Sequence, residues 1–132
     1  MPGRIMINDG GLSRVARAGD GFLQASSVTI ISADANDTLT VTKIAAGTLS
    51  YSGLTAGRNL TVDTAANIIA AFPMLDIGDA VSVHVGVSVA FALTLVTAAG
   101  VTLKGKATVA ASGSAIIYFV KTSATTVDCV VV

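Results

Sequence analysis

The stretch AVSVHVGVSVAFALTLVTAAGVTL, residues 80–103, carries no charged side chain, and its reading decides what the rest of the chain can fold into. It is long enough to be tested as a membrane-spanning helix. Its pattern argues against one. Val81, Val83, Val85 and Val87 alternate with Ser82, His84, Gly86 and Ser88. A period of two sends the valines to one face of a strand, whereas a lipid-facing helix would be apolar all round. Strands are therefore expected at 80–88, 91–97, 100–103, 106–111, 114–121 and 125–132. The connections TAAG, KGK, ASGS and KTSAT carry the small and turn-forming residues that tight links need. Upstream, SSVTIISA (26–33), TLTVTKI (38–44) and NLTV (59–62) read as strands too. DAND supplies a turn rich in Asx residues, and AAGTLSYSGLTAGRN reads as loops around Gly47, Gly53 and Gly57. The expected fold is all-β, an antiparallel β-sandwich or jelly-roll-like body.

One segment breaks the pattern. In TVDTAANIIAAFP (61–73), Ala65, Ile68, Ile69 and Phe72 fall at i, i+3, i+4 and i+7, one face of a helix. Asp63 or Thr64 can cap its first turn, and Pro73 stops it. A helix over about 64–72 is too short to stand alone in water. It is expected to be a lid, its apolar face covering something made of strands. Ile68, Ile69 and Phe72, with Val83 and Val85 of the alternating run, are the candidates for lid or subunit packing.

Residues 1–25 differ from the body at 26–132. They hold Arg4, Arg14 and Arg17, three of the four arginines, among five glycines and without a sustained period. They read as an extended arm. No continuous apolar segment of the kind found in a secretion signal is present there. The 132 residues carry eight basic and eight acidic groups, and no basic stripe that would neutralise several phosphates. Nucleic acid is not an expected partner. Charged residues make up 12% and hydrophobic ones 52%. That is poor in charge beside the usual quarter or so. With a membrane helix set aside, the expectation is that copies of the same chain cover part of the apolar surface.

The residues that chemistry needs are not grouped. His84 is the sole histidine and falls on the polar side of its strand, facing solvent or an interface. Asp63, Asp76 and Asp79 are scattered, and turn chemistry accounts for them before calcium does. GKAT (105–108) lacks the earlier glycine of a phosphate loop, so Lys104-Gly105-Lys106 reads as a hairpin tip. Cys129 alternates with Val127 and Val131 and is expected to be a small buried hydrophobe, compatible with a reducing cytoplasm. No catalytic, cofactor or metal site is expected.

Taken in order, LTVDTAANIIAAFP, IGDAVSVHV, FALTLVTAAGVTLKGKATVAASGSAIIYFV and VDCVVV, within 58–132, resemble a pattern in small structural proteins of tailed bacteriophages. The proteins this is similar to are capsid decoration (cement) and head-fibre proteins. The resemblance implies a non-enzymatic homotrimer, made in the host cytoplasm and bound to the outside of the virion. Its partner would be the major capsid protein at capsomer junctions. On that reading the arm makes the capsid contact, through Ile5, Ile7, Leu12 and Phe22 as apolar anchors and Arg4, Arg14 and Arg17 as carboxylate clamps. The alternative is a receptor- or glycan-binding module of a head or tail fibre. Tyr51 would then be the platform for sugar, unless it packs on its own sheet.

Overall fold

The computed structural model describes residues 28–132. The arm, with Arg4, Ile5, Ile7, Leu12, Arg14, Arg17 and Phe22, lies outside the described residues. From residue 28 on, the chain passes back and forth between two sheets. Strand β1 (Thr29–Ile31) leads to β2 (Asp37–Leu39), and helix α1 (Val41–Ala46) returns to β3 (Thr48–Tyr51). β3 leads to β4 (Arg58–Val62), and helix α2 (Ala65–Ala71) returns to β5 (Ala80–Val87) and then β6 (Leu93–Val96). Strands β1, β3 and β5 lie side by side and parallel in one sheet. Strands β2, β4 and β6 do the same in the other. The result is three stacked circuits, each giving one strand to each sheet, as in a parallel solenoid.

The last four strands are β7 (Val101–Gly105), β8 (Thr108–Val109), β9 (Ser114–Lys121) and β10 (Val127–Val131). They extend the sheets to the orders β1-β3-β5-β9-β10-β7 and β2-β4-β6-β8. The all-β expectation holds among the described residues, but the antiparallel one does not. Five of the eight strand pairings are parallel, and only β5–β9, β9–β10 and β6–β8 are antiparallel. Parallel pairing needs a crossover for every strand, and here the second sheet and the two helices provide it.

Both sheets turn their alternating apolar side chains onto one shared core. Leu49, Tyr51, Val83, Val85, Ile117 and Phe119 come from the six-stranded sheet; Leu39, Leu60, Val62, Leu93 and Val109 come from the other. Burying side chains of this size contributes roughly 1.5–3 kcal/mol each before the entropy of ordering them is subtracted. Both helices connect the four-stranded sheet back to the six-stranded one, so both lie at the same end of the core. Ile44 of α1 and Ala65 and Ile68 of α2 are buried there, with Ile69 and Phe72 half-buried. This places the expected lid. Thr64 caps α2 by accepting from the Asn67 amide at 3.2 Å. The Ala65 N–H donates to the carbonyl of Ala99 at 3.0 Å, seating the helix on the turn before β7. Gly100 makes that seat possible. Its φ is +79°, and a Cβ there would stand 2.7 Å from the Ala65 methyl.

Helix α1 occupies residues expected to continue a strand from 38 to 44. Val41 and Thr42 favour strands, but tertiary partners override them. Thr40 caps the helix through the Lys43 amide, Asp63 accepts from the Val41 N–H at 3.1 Å, and Gly47 ends it at φ +89°. Strand β3 occupies what read as loop. Its pattern Thr48, Leu49, Ser50, Tyr51 does alternate, with Leu49 and Tyr51 buried, but four residues among glycines make a faint signal.

The opposite end carries the plain turns, and there the first two circuits come into backbone contact. Ser52 N–H donates to the Ile31 carbonyl at 3.0 Å, and a Cβ on Gly53 would fall 1.8 Å from the Ser32 carbonyl oxygen. Backbone cannot give way there as a flexible side chain can. Gly53→Ala should therefore destabilise the protein by about 2 kcal/mol or more, in the upper range for overpacking. Gly57→Ala, whose Cβ would meet only the Ala92 carbonyl at 3.8 Å, should stay within about 1 kcal/mol. Urea titration of the two variants checks the contrast.

Candidate functional site

The polar groups with the most partners lie where the circuits cross between sheets. In the first, the Asp37 carboxylate accepts from Lys43 Nζ at 2.6 Å and 2.8 Å and from the Tyr51 hydroxyl at 2.7 Å. Strand β2, helix α1 and strand β3 are thereby tied at one point. Partial burial alone would push the Asp37 carboxyl up, but the hydrogen bonds from Lys43 and Tyr51 outweigh it and hold the group below its ordinary range. Tyr51 is fully buried, and burial together with the neighbouring carboxylate raises its hydroxyl far above the ordinary tyrosine range. Tyr51 is therefore a core residue with a satisfied hydroxyl and offers no platform to a sugar.

The second cluster joins the turns. Asp34 accepts from the Thr55 hydroxyl, from the Thr55 amide at 3.0 Å, and from Arg58 through Nε at 3.1 Å and a terminal nitrogen at 3.0 Å. The bonds from Thr55 first, and Arg58 after them, lower its carboxyl to about 2. One step along, the Asn36 side chain accepts from the Asn59 amide at 2.9 Å. A third carboxylate, Asp63, serves both helices at once. It accepts from the Val41 amide, and also from Thr64 N–H and Asn67 Nδ2, both at 2.8 Å.

Asp76 and Asp79 close a turn on themselves, the Asp79 carboxylate accepting from the Asp76 amide at 3.0 Å. Cys129 is buried, and desolvation pushes its thiol up to about 11, the behaviour of a small hydrophobe rather than a nucleophile. Among the described residues, no three His, Cys or Asp side chains stand close enough to hold a metal ion. No helix there is long and apolar enough to cross a membrane. His84 lies exposed on the outer side of β5, in register with Ile116.

Val83 and Val85 need correction as candidates for subunit packing. Both are essentially unexposed and point into the core between the sheets, so neither can touch another copy. Ile68 is likewise buried within its own chain. The apolar residues that do face outward were not singled out from the sequence. On the outer side of the six-stranded sheet, the register aligns His84 with Ile116, Ser82 with Tyr118 and Val130, and Ala80 with Val120 and Asp128. Val132 bonds to Ile116 through both backbone groups and extends the stripe. Ile116 and Tyr118 are each 37% exposed and Val132 is 56% exposed. The signal was present in AIIYFV (115–120), a strand apolar on both faces, which is how a strand reads when each face is covered. The outer side of the four-stranded sheet is different. It presents Thr38, Asn59, Thr61, Thr94 and Thr108, with Val96 the one large apolar residue.

No protein-family model, curated protein or solved structure matches the chain.

The Asp37 cluster has a testable consequence for acid stability. A carboxyl whose folded pKa is depressed contributes stability that is present above its unfolded value, near 3.9, and lost as pH falls through the folded value. Asp37→Asn should cost about 1–3 kcal/mol at pH 7, since it removes the charge opposite a half-buried lysine. The gap between wild type and variant should close as pH drops below about 4. Urea midpoints measured from pH 7 to pH 2 check it, and a pH-independent gap would assign the loss to packing.

Proposed function

We propose that this chain is a non-enzymatic virion structural protein, a trimeric decoration protein that binds the outer surface of a phage capsid where capsomers meet and stabilises the shell. Its partners are then the major capsid protein and two copies of itself, its place is the capsid exterior, and its two sheets work as the halves of a sandwich. One observation carries the reading furthest. Asp34, Asp37, Asp63, Asp79 and Asp128 are all engaged in internal hydrogen bonds or ion pairs, while large apolar side chains stand on the outer surface. That is the reverse of an active site, where ionisable groups converge on an open cleft and are left ready to react.

The resemblance of 58–132 to phage decoration proteins supplies the biological setting. Rigid ties between circuits suit a protein that must hold a fixed shape under mechanical load. Three modest contacts held by one rigid trimer reach high avidity when their spacing matches the shell. The arm at 1–25 carries the capsid contact in this reading, with Arg14 and Arg17 clamping carboxylates on the shell.

Incubating the full chain with undecorated capsids should give saturable co-sedimentation and a higher rupture temperature. Removing residues 1–24 should abolish sedimentation without unfolding the body. Arg14→Ala combined with Arg17→Ala should weaken attachment, more visibly as salt screens the remaining ionic contacts. A full chain that neither sediments with capsids nor shifts their rupture temperature sinks the cementing role. Full occupancy by the truncated chain moves the contact to the body.

A further inference from the structure

We propose that the open edge of β1 is the docking site of the chain's own residues Ile5, Met6 and Ile7, which add to the six-stranded sheet as a further strand; this goes beyond the function proposed above and holds whatever the arm meets outside the protein. Among the described residues four strands border the sheets, β1 and β7 in one and β2 and β8 in the other. An open edge offers its unpaired backbone groups to any extended segment, and three of these four are guarded against that. β7 carries Lys104 and runs into Lys106. On β2 the Thr38 carbonyl accepts from Lys43 Nζ at 3.1 Å and from the Thr40 N–H at 3.0 Å. β8 is two residues long.

The β1 edge has no such guard. Val28-Thr29-Ile30-Ile31 contains no charge, proline or glycine. The Ile31 carbonyl accepts from Ser52 N–H, which turns that residue toward β3. Backbone groups alternate in direction along a strand, so the N–H and C=O of Ile30 face the open edge, where no described residue pairs with them. The core is open at the same place. Thr29 stays exposed although its register partner Leu49 is buried, and Ile30 is 68% exposed.

The covalent chain selects the occupant. Residues 1–27 join directly onto Val28, so any segment of them is held near this edge at an effective concentration in the millimolar range. A free partner must offset its lost translational freedom with a large contact area, whereas a tethered segment has only a loop to close. Within the arm, Ile5-Met6-Ile7 is the one run of three large apolar residues, the length of β1. Phe22-Leu23 offers two, and the stretch 12–18 would set Arg14 and Arg17 against an apolar edge. Residues 9–27, with Gly10, Gly11, Gly19 and Gly21, form the return loop. Arg14 and Arg17 then stand on a loop closed at both ends.

The test is amide hydrogen exchange at Ile30 in the full chain, with Val85 in the middle of the sheet as internal reference. Wild type should exchange at Ile30 about 100-fold more slowly than an unpaired amide. Met6→Pro combined with Ile7→Pro removes a donor on either side of the added strand, and should abolish that protection while leaving Val85 unchanged. Phe22→Pro combined with Leu23→Pro should keep it. Free exchange at Ile30 in wild type overturns the proposal, as does protection that survives the prolines at 6 and 7. Loss of protection with the prolines at 22 and 23 alone overturns the choice of segment.

A spin label on Met6→Cys gives a second measurement, since the native Cys129 is buried and takes up little label. It should broaden the Ile30 signal of its own chain. In an equal mixture with isotope-labelled chains that carry no spin label, those chains should keep a sharp Ile30 signal. Broadening in the unlabelled partner instead assigns the added strand to another copy and overturns the intramolecular contact. None of these readings involves capsids, so the cementing role is tested separately.

Discussion

Parallel pairing of β1 with β3 and β3 with β5 is the constraint on which the rest of the structure depends. A strand cannot lie parallel to its predecessor in the same sheet unless the chain first travels back the whole length of the strand. In this protein the return legs are themselves strands, β2 and β4, and they pair parallel for the same reason. A second sheet, a shared interior and two distinct ends follow from that one demand. At one end each crossover needs extra length to reach the start of the next strand, and α1 and α2 fill it while covering the open core. At the other end the crossovers are short turns, so the backbones meet closely enough that Gly53 has no room for a side chain.

The same stacking accounts for where the charges went. A parallel ladder sets one circuit's turn against the next circuit's turn. Polar side chains there meet partners far away in sequence: Asp34 with Arg58, Asn36 with Asn59, Asp37 with Tyr51. These pairs fix the register of one circuit on another, because a slip by one residue would take the Tyr51 hydroxyl away from Asp37. Exposed ion pairs contribute little to stability by themselves. Asp37 is different, since its lysine and tyrosine partners sit beside the core and losing one strands a half-buried group.

Much of this was legible in the residues, and the illegible parts have physical causes. Strands β5, β9 and β10 and helix α2 stand out because their periods run long enough to be counted. Cys129 and Ile68 fall inside for the same reason. Strand direction could not be read, because a strand's own pattern is the same whether its neighbour runs up or down. The repeat that would have revealed it is obscured by unequal helices. Leu49 lies 20 residues after its partner Thr29, while Val85 lies 36 after Leu49. Helix α1 was hidden behind Val41 and Thr42, whose preference for strands gives way only to caps supplied by Thr40 and by the distant Asp63. Val83 and Val85 read as apolar residues for lid or subunit packing and lie in the core with Ile68, since alternation identifies a covered face without saying what covers it.

That last distinction separates the two kinds of apolar residue in this protein. Val83, Val85 and Ile117 are covered by the chain itself, through the opposite sheet. Ile116, Tyr118 and Val130 lie on the other side of the same strands, where no part of the described chain reaches. A strand apolar on both faces gains less on its outer side than on its inner side from folding, and leaving part of that side in water adds a risk of unspecific sticking. The four-stranded sheet avoids the risk with threonines, which keep strand propensity while remaining wettable. The sequence could have used the same device on β9 and β10. With no net charge on the chain and its described carboxylates largely paired, long-range repulsion does little to hold copies apart.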